Sequence, residues 1–428
     1  MARSKQVRSS YLTTATGAYI FFALALGFII PDIEKVLPSN WISPVSKSTI
    51  EAILGAIAAG MITLSGLVFS LFFVLVQFGS GTYGPRITAI VGSSYVLRHS
   101  LGIFTGTFIF AIMALRDVGM IKSQTVSDVP VWIASIWLIA SIVVLIRLIR
   151  VFASMTITNI LSALGKIAQR SISRNYDAYS PGEKNAVKEK PLNTRERQGF
   201  SLQEVIHKSE QAYITRINNP LLISLARKSD SVIVVPYAVG DAVKVGSPIA
   251  LISGKNPGVK ESRIFDAIEL GYERALLHDP KYSFRLLVDL GIRALSPGIN
   301  DPTTAVQALD QIEPLLRLIG NSDLDVGELK DGDGVIRLVI KTPTWEDYLQ
   351  LALCEIMQYG ATSIQVERRL EALLIYLLQS VPPDRAEVVR RLLEQRRSVA
   401  SVSFKDTIFS QWASVADREG IGSGIVGD

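Results

Sequence analysis

Residues 52–78 read AILGAIAAGMITLSGLVFSLFFVLVQF, 27 consecutive positions without a charge. Crossing the hydrocarbon core of a bilayer takes about 20 apolar residues, so this stretch is a membrane span long enough to tilt. Three more stretches read the same way. One runs from about Tyr11 to Ile30 and another from about Val131 to Phe152. The third covers about Ser100 to Leu115, and Val118 onward extends it to about 100–118. A helix satisfies its own backbone groups, which is why such segments enter lipid as helices. Arg3, Lys5 and Arg8 give the first span the basic start of a signal peptide. Its apolar run is longer than a signal core, however, and Pro31, Asp32 and Glu34 follow it directly, with no small-residue cleavage site. It is expected to stay in the mature chain.

Composition agrees with that reading. The 428 residues suggest two or three folding units. Hydrophobic residues make up 48% and charged residues only 19%, against about 25% charged in soluble proteins. This excludes a disordered, collagenous or disulfide-built chain. Net charge is +5, and residues 1–160 hold 11 Lys/Arg and 5 Asp/Glu against 33 and 34 in the remainder. A nucleic-acid binder would concentrate basic charge on its polar part; here the excess flanks the spans, so no nucleic-acid partner is expected. Arg3, Lys5, Arg8, Arg86, Arg98, Arg147 and Arg150 fall on one side, with Lys166, Arg170 and Arg174 beyond. Lys35, Lys47, Arg116 and Lys122 fall on the other. The positive-inside rule then puts both termini in the cytoplasm. Cys354 is the only cysteine, and His99, His207 and His278 are scattered, so neither a disulfide, a metal site nor a cofactor is expected.

None of the four span interiors holds an acidic residue, which argues against a proton-coupled pump. Thr63, Ser70 and Gln77 recur at intervals of seven. Two helical turns take about 7.2 residues, so the three lie on nearly one line, which Ala56 continues. Such a line can face a water-filled path in an oligomer or form a seam where helices approach closely; the two readings are compatible. Gly102 and Gly106 form a G-x-x-x-G pair, a candidate helix contact. Trp41, Trp132 and Trp137 read as interfacial anchors.

Helical periodicity continues from the fourth span through Ile157, Ile160, Leu161, Leu164 and Ile167. Arg174 to Gly199 is a polar, Pro- and Gly-containing linker. Val232–Val235, Ala242–Val245 and Pro248–Ile252 are short strands separated by Gly240-Asp241 and Gly246-Ser247, the pattern of a small barrel or sandwich. Ile264–Leu277, Phe284–Leu295, Val306–Ile319, Leu349–Tyr359 and Ser363–Leu378 have helical period, and a charged helix runs from Pro382-Pro383 to about Arg397. Val335–Ile340 alternates as a strand. Between two of the helices, Ser296-Pro297-Gly298 breaks the chain. Asn300 or Asp301 then serves as N-cap, with Pro302 in the first helical position. Thr344 to Asp347 reads as a capping box with Asp in place of Glu. The acidic residues Asp323, Asp325, Glu328, Asp331 and Asp333 lack EF-hand spacing and read as turn chemistry. No nucleophile with a neighbouring base and no phosphate-loop motif occurs, so an enzyme ranks last.

The stretch Arg293-Ala294-Leu295-Ser296-Pro297-Gly298-Ile299-Asn300-Asp301-Pro302-Thr303-Thr304-Ala305 resembles the most specific motif of a bacterial family of integral membrane proteins, domain of unknown function 2254. Residues Gln77 to Arg86 are similar as well, although Gly84-Pro85-Arg86 stands where the family tends to have Ser-Pro-Arg; the Gly240-Asp241 turn adds support. The resemblance covers most of the chain. It implies a bacterial inner-membrane protein with membrane helices before a soluble region, and it implies no catalytic residue.

The expected architecture is a four-helix membrane domain over 1–160 and a helix extension with linker over 161–199. A small β-barrel-like domain over 200–258, a mainly helical cytoplasmic domain over 259–415 and a flexible tail over 416–428 follow. The expected function is a homo-oligomeric channel for ions or small solutes. Thr63, Ser70 and Gln77 would line it and the cytoplasmic part would gate it. The alternative is a membrane-anchored sensor or scaffold whose ligand or protein partner meets Arg293, Asn300, Asp301, Thr303 and Thr304.

Overall fold

The computed structural model describes residues 16–30, 43–83, 95–177, 201–405 and 407–422. Residues 11–15, Trp41, Gly84-Pro85-Arg86, most of the linker and the last six residues therefore lie outside the described residues. The chain divides into two compact units, residues 1–156 and 157–428.

The first unit contains α1 (Thr16–Ile30), α2 (Lys47–Tyr83), α3 (Tyr95–Met120) and α4 (Val129–Ala153). α2, α3 and α4 are long and apolar enough to cross a bilayer. The described part of α1 has 15 residues, about 22 Å at 1.5 Å per residue, short of a hydrocarbon core of about 30 Å. The start of the first of the four expected spans lies outside the described residues, and three helices among them are thus of spanning length. Their sides explain their composition. Leu54, Ile57 and Met61 of α2 pack with Phe104, Phe110 and Ala111 of α3 and with Ala134 and Leu148 of α4. Ile62, Phe69 and Phe73 of α2 and Ile136, Ile139 and Ile142 of α4 point outward, exposed. Helices apolar on every side are stable in lipid and costly in water.

A short ribbon ties the loops together. β1 (Pro44–Ser46) pairs antiparallel with β2 (Thr125–Ser127). Lys47 Nζ donates to the carbonyls of Gly119 and Ile121 at 2.8 and 2.7 Å, occupying acceptors that the end of α3 leaves open. Trp132 is exposed and donates to Asp128 Oδ2 at 3.0 Å. Trp137 is not an interfacial anchor. Its ring stacks between Phe22 and Phe110, with centroids 6.0 and 6.1 Å away.

α4 does not run on into the next helix. Ser154-Met155-Thr156 interrupts it, and Ser154 Oγ donates to Val151 O at 2.8 Å, a local bond that competes with helix continuation. α5 (Ile157–Asn175) then opens the second unit, where it buries Ile160, Leu161, Leu164, Ala168 and Ile172. Its partners are α8 (Pro280–Ala294) and α9 (Pro302–Gly320). It is part of that unit's core rather than an extension of the membrane helices.

The strands do not close into a barrel among the described residues. β3 (Ser201–Ile206), β7 (Pro248–Gly254), β5 (Ser231–Val235), β10 (Ile336–Ile340) and β9 (Glu328–Lys330) form one sheet in that order. All its neighbours are antiparallel except β5 and β10, which are parallel. β6 (Ala242–Val243), β4 (Ala212–Ile217) and β8 (Ile268–Gly271) form a second sheet. A strand more than 60 residues beyond the presumed barrel completes the first sheet, because Leu338 fills the same core as Ile233, Val235 and Ile252. β8 also corrects the helix expected over Ile264–Leu277. Only α7 (Glu261–Ala267) is helical there. Ile268 and Leu270 then pair with Ile217 and Ile214 of β4, so the period changes from helical to two.

Helices α8 and α9, α10 (Trp345–Gly360), α11 (Ile364–Ser380) and α12 (Pro383–Ser403) pack together, with α6 (Asn219–Lys228) on the sheet and α13 (Thr407–Ala413) near the end of the chain. The capping box at Thr344 forms, each side chain bonding the other's backbone N–H. α12 is not simply a solvated helix. Arg396 is 1% exposed and bonds the buried carboxylates of Glu367 and Glu371. Arg385 Nη1 donates to the carbonyls of Ile319, Gly320 and Ser322 at 3.1, 2.8 and 2.9 Å, closing the end of α9. The tail is also held as far as residue 422. Asp417 is buried and accepts the backbone N–H groups of Glu419, Gly420 and Gly422, while Arg368 Nη1 donates to Gly422 O at 2.8 Å.

Candidate functional site

Thr63, Ser70 and Gln77 are all exposed on α2, as is Ala56. No other described helix covers the line. Thr63 Oγ1 donates to Ala59 O at 2.8 Å, which satisfies the hydroxyl within its own helix. A Cβ added at Gly55, Gly60 or Gly66 would meet nothing within 4 Å. On this side of α2, which no other described helix covers, the small and polar residues alternate with exposed Leu67, Leu71 and Val74. The other glycine pair sits inside the unit. A Cβ on Gly102 would lie 2.5 Å from Tyr19 Cδ2, and one on Gly106 would lie 2.7 Å from Trp137 Cζ3. α3 therefore approaches both α1 and α4 at positions where only glycine leaves room. A feature the sequence reading missed joins α3 to α4 nearby. The buried hydroxyls of Thr107 and Ser141 lie 3.0 Å apart, and each also bonds a carbonyl of its own helix.

In the second unit, residues 293–304 form the corner between α8 and α9. Arg293 lies in the last turn of α8. Asn300 adopts φ +49°, a left-handed conformation that asparagine tolerates better than most residues. Asp301 is the N-cap of α9. Its Oδ1 accepts Thr304 N–H at 3.1 Å and its Oδ2 accepts Thr304 Oγ1–H at 2.6 Å, while Asp301 N–H returns to Ala294 O at 2.8 Å. Thr303 is exposed. Both carboxylate oxygens are engaged within the corner, so its polar chemistry holds a tight helix–helix turn.

The second unit also contains a cavity of about 130 Å³ lined by Tyr176, Asn219, Asp279, Lys341, Thr342 and Tyr348, among others. Asp279 is 1% exposed. It caps α8, accepting Tyr282 N–H at 3.0 Å through Oδ1. Oδ2 has no hydrogen-bond partner among the described residues and lies 3.7 Å from Arg274 Nη1. Burial is the largest influence on its pKa, which is pushed up to about 6 against the lowering effects of Tyr282 N–H and Arg274. Gly240, at φ +92°, permits this placement: a Cβ there would be 2.0 Å from Asp279 Oδ2. The Tyr176 and Tyr348 hydroxyls are 2.9 Å apart, and burial raises both phenols above their ordinary range. The sequence carries a signal for Asp279, since Asp279-Pro280 repeats the N-cap and first-position pair of Asp301-Pro302.

Three apolar helices of spanning length, followed by a unit of mixed helix and sheet, define a membrane protein with a substantial second unit. The family model described as predicted membrane protein (DUF2254) matches residues 8–375, and the chain belongs to that family. Uncharacterized proteins of Mycobacterium bovis and Mycobacterium tuberculosis are each similar to it at 22% identity over 420 residues, covering 95% of this chain and 80% of the relative. No solved structure matches the chain.

Proposed function

We propose that the protein is a passive, homo-oligomeric pore for ions or small solutes in the bacterial inner membrane, gated by its second unit. In this reading α1 belongs to a fourth span, and both termini are cytoplasmic. The observation that carries it is the exposed line of Ala56, Thr63, Ser70 and Gln77 on a helix whose other outward residues over 52–77, small ones such as Ala59 and Gly66 and large ones such as Phe69 and Phe73, are all apolar. A small, polar face in lipid favours a second helix or water over acyl chains. The apolar interiors, free of acidic side chains, favour passive passage over proton-coupled pumping. Replacing Thr63, Ser70 and Gln77 together by Leu should abolish ion flux in liposomes while leaving the oligomer intact. Unchanged flux in that variant would remove this line from the path.

The Asp279 cavity favours a second reading, a membrane-anchored sensor. Burial pushes its carboxyl up to about 6, and it adjoins two tyrosines and a lysine. A protein with no flux under any voltage, pH or osmotic condition, but with ligand-dependent stability of the second unit, would favour the sensor over the pore.

A further inference from the structure

We propose that the groove between α5 and α9 binds a phosphate group. The groove has a volume of about 450 Å³ and is lined by Ser162, Lys166, Gln169, Gln311, Arg317 and Asn321 among its polar residues, with no carboxylate. Its floor is set by a close approach. A Cβ on Gly165 would lie 2.5 Å from Gln311 Oε1, so glycine leaves the Gln311 amide room to lie against α5.

Two cations face the groove without an acid to neutralise them. Arg317 lies over the Tyr376 ring at 4.6 Å. Stacking of this kind holds a guanidinium flat and leaves its N–H edge available to an oxyanion. Lys166 is exposed. Among the described residues neither has an ion-pair partner, and the nearest acids on α9 are already engaged: Asp310 and Glu313 both pair with Arg369, at 2.7 and 2.6 Å. Ser162, Gln169 and Gln311 add hydroxyl and amide donors for a tetrahedral oxyanion, whereas the Asn321 amide already donates to the carbonyls of Arg317 and Ser380.

Charge beyond the groove points the same way. α5 carries Lys166, Arg170 and Arg174 at intervals of four, all exposed, and has no acidic residue along its length. It begins three residues after α4, the last helix of spanning length, ends. A basic row directly after a membrane helix is the pattern that attracts anionic lipid headgroups. The phosphate can therefore belong to a lipid headgroup or to a soluble ligand. The α5–α9 site is independent of the pore reading, since it invokes no residue of α2.

The test uses the full chain in detergent, followed by thermal melting. The probes are inorganic phosphate, short-chain phosphatidylglycerol, and short-chain phosphatidylcholine as the zwitterionic control. The expected result is stabilisation by phosphatidylglycerol, by phosphate, or by both, beyond that given by phosphatidylcholine. Response to the lipid alone assigns the source to a headgroup; response to phosphate assigns the site to the free anion as well. Apparent affinity should fall at least about tenfold in K166Q/R317Q, in line with the loss of charge-assisted bonds, and should survive in K166R. Should the double variant fold poorly, Lys166→Gln alone, at an exposed position, gives the same comparison. Equal responses of wild type and K166Q to whichever of the two probes stabilises the wild type, or no response of the wild type to either, would overturn the proposal.

Discussion

Replacing Arg396 by Met leaves two carboxylates in the interior of the second unit without their main counter-charge. Arg396, Glu367 and Glu371 each have side chains only 1% exposed. Arg396 Nη1 donates to Glu367 Oε2 at 2.7 Å and to Glu367 O at 2.9 Å, and Nη2 donates to Glu371. Arg397 still holds Glu371, but among the described residues Glu367 has no second cation. Removing one partner of a buried pair costs about 3–5 kcal/mol, chiefly because the other charge is stranded. At about 2–4 °C per kcal/mol for a unit of this size, melting of the second unit should fall by about 6–20 °C. Met fills much of the same volume, so the loss reports charge rather than a cavity. The assay is far-UV circular dichroism of the full chain in detergent at about pH 9, well above the value of about 7 to which burial raises Glu367, so that both carboxylates are charged in the wild type. Arg390→Met on the same helix is the control. Arg390 pairs with Glu387 on the surface, where an ion pair contributes about 0–1 kcal/mol. Equal melting of the two variants would refute the reasoning. The network also has a pH signature. Burial raises Glu367 to about 7 from an ordinary 4.5, against the lowering effect of Arg396. The folded state therefore holds this proton more tightly than the unfolded state. Its contribution is fully present below pH 4.5 and lost as pH rises through 7. Glu367→Gln should flatten stability between those limits.

Gly240→Ala should destabilise the second unit by several kcal/mol, because it combines a left-handed φ with a contact 2.0 Å from Asp279 Oδ2; melting temperature checks it. Asp279 behaves like Glu367, with an ordinary value of 3.8 raised to about 6. Asp279→Asn should accordingly gain stability relative to wild type as pH rises from 4 to 7, read by melts across that range. Thr107→Val should cost about 0.6 kcal/mol by deleting the bond to Ser141, and the double variant with Ser141→Ala should cost less than the sum of the two single changes.

Local chemistry was the most legible part of the sequence. The apolar length of α2, the Asp301-Pro302 cap and the Thr344–Asp347 box are each fixed by neighbours within four residues, and each forms. Long-range pairing was not legible. The parallel contact of β5 with β10 joins residues about 100 apart, and only the shared core of Ile233 and Leu338 requires it. The buried cations were hidden for a related reason. The run from Pro383 to Arg397 has the charge density of a solvated face, and burial of Arg385 and Arg396 follows only from carboxylates and carbonyls supplied by α9 and α11. On α2 the sequence shows the polar line, and the structure adds that no described helix of the same chain lies on it.

Cys354 is the only cysteine, so substituted cysteines in a Cys354→Ser background test that line most directly. Thr63→Cys and Ser70→Cys should react with a membrane-impermeant thiol reagent in liposomes, while Ile62→Cys and Phe69→Cys, on neighbouring outward positions of the same helix, should not. Reaction at 63 and 70 no faster than at 62 and 69 would contradict a water-filled path along α2.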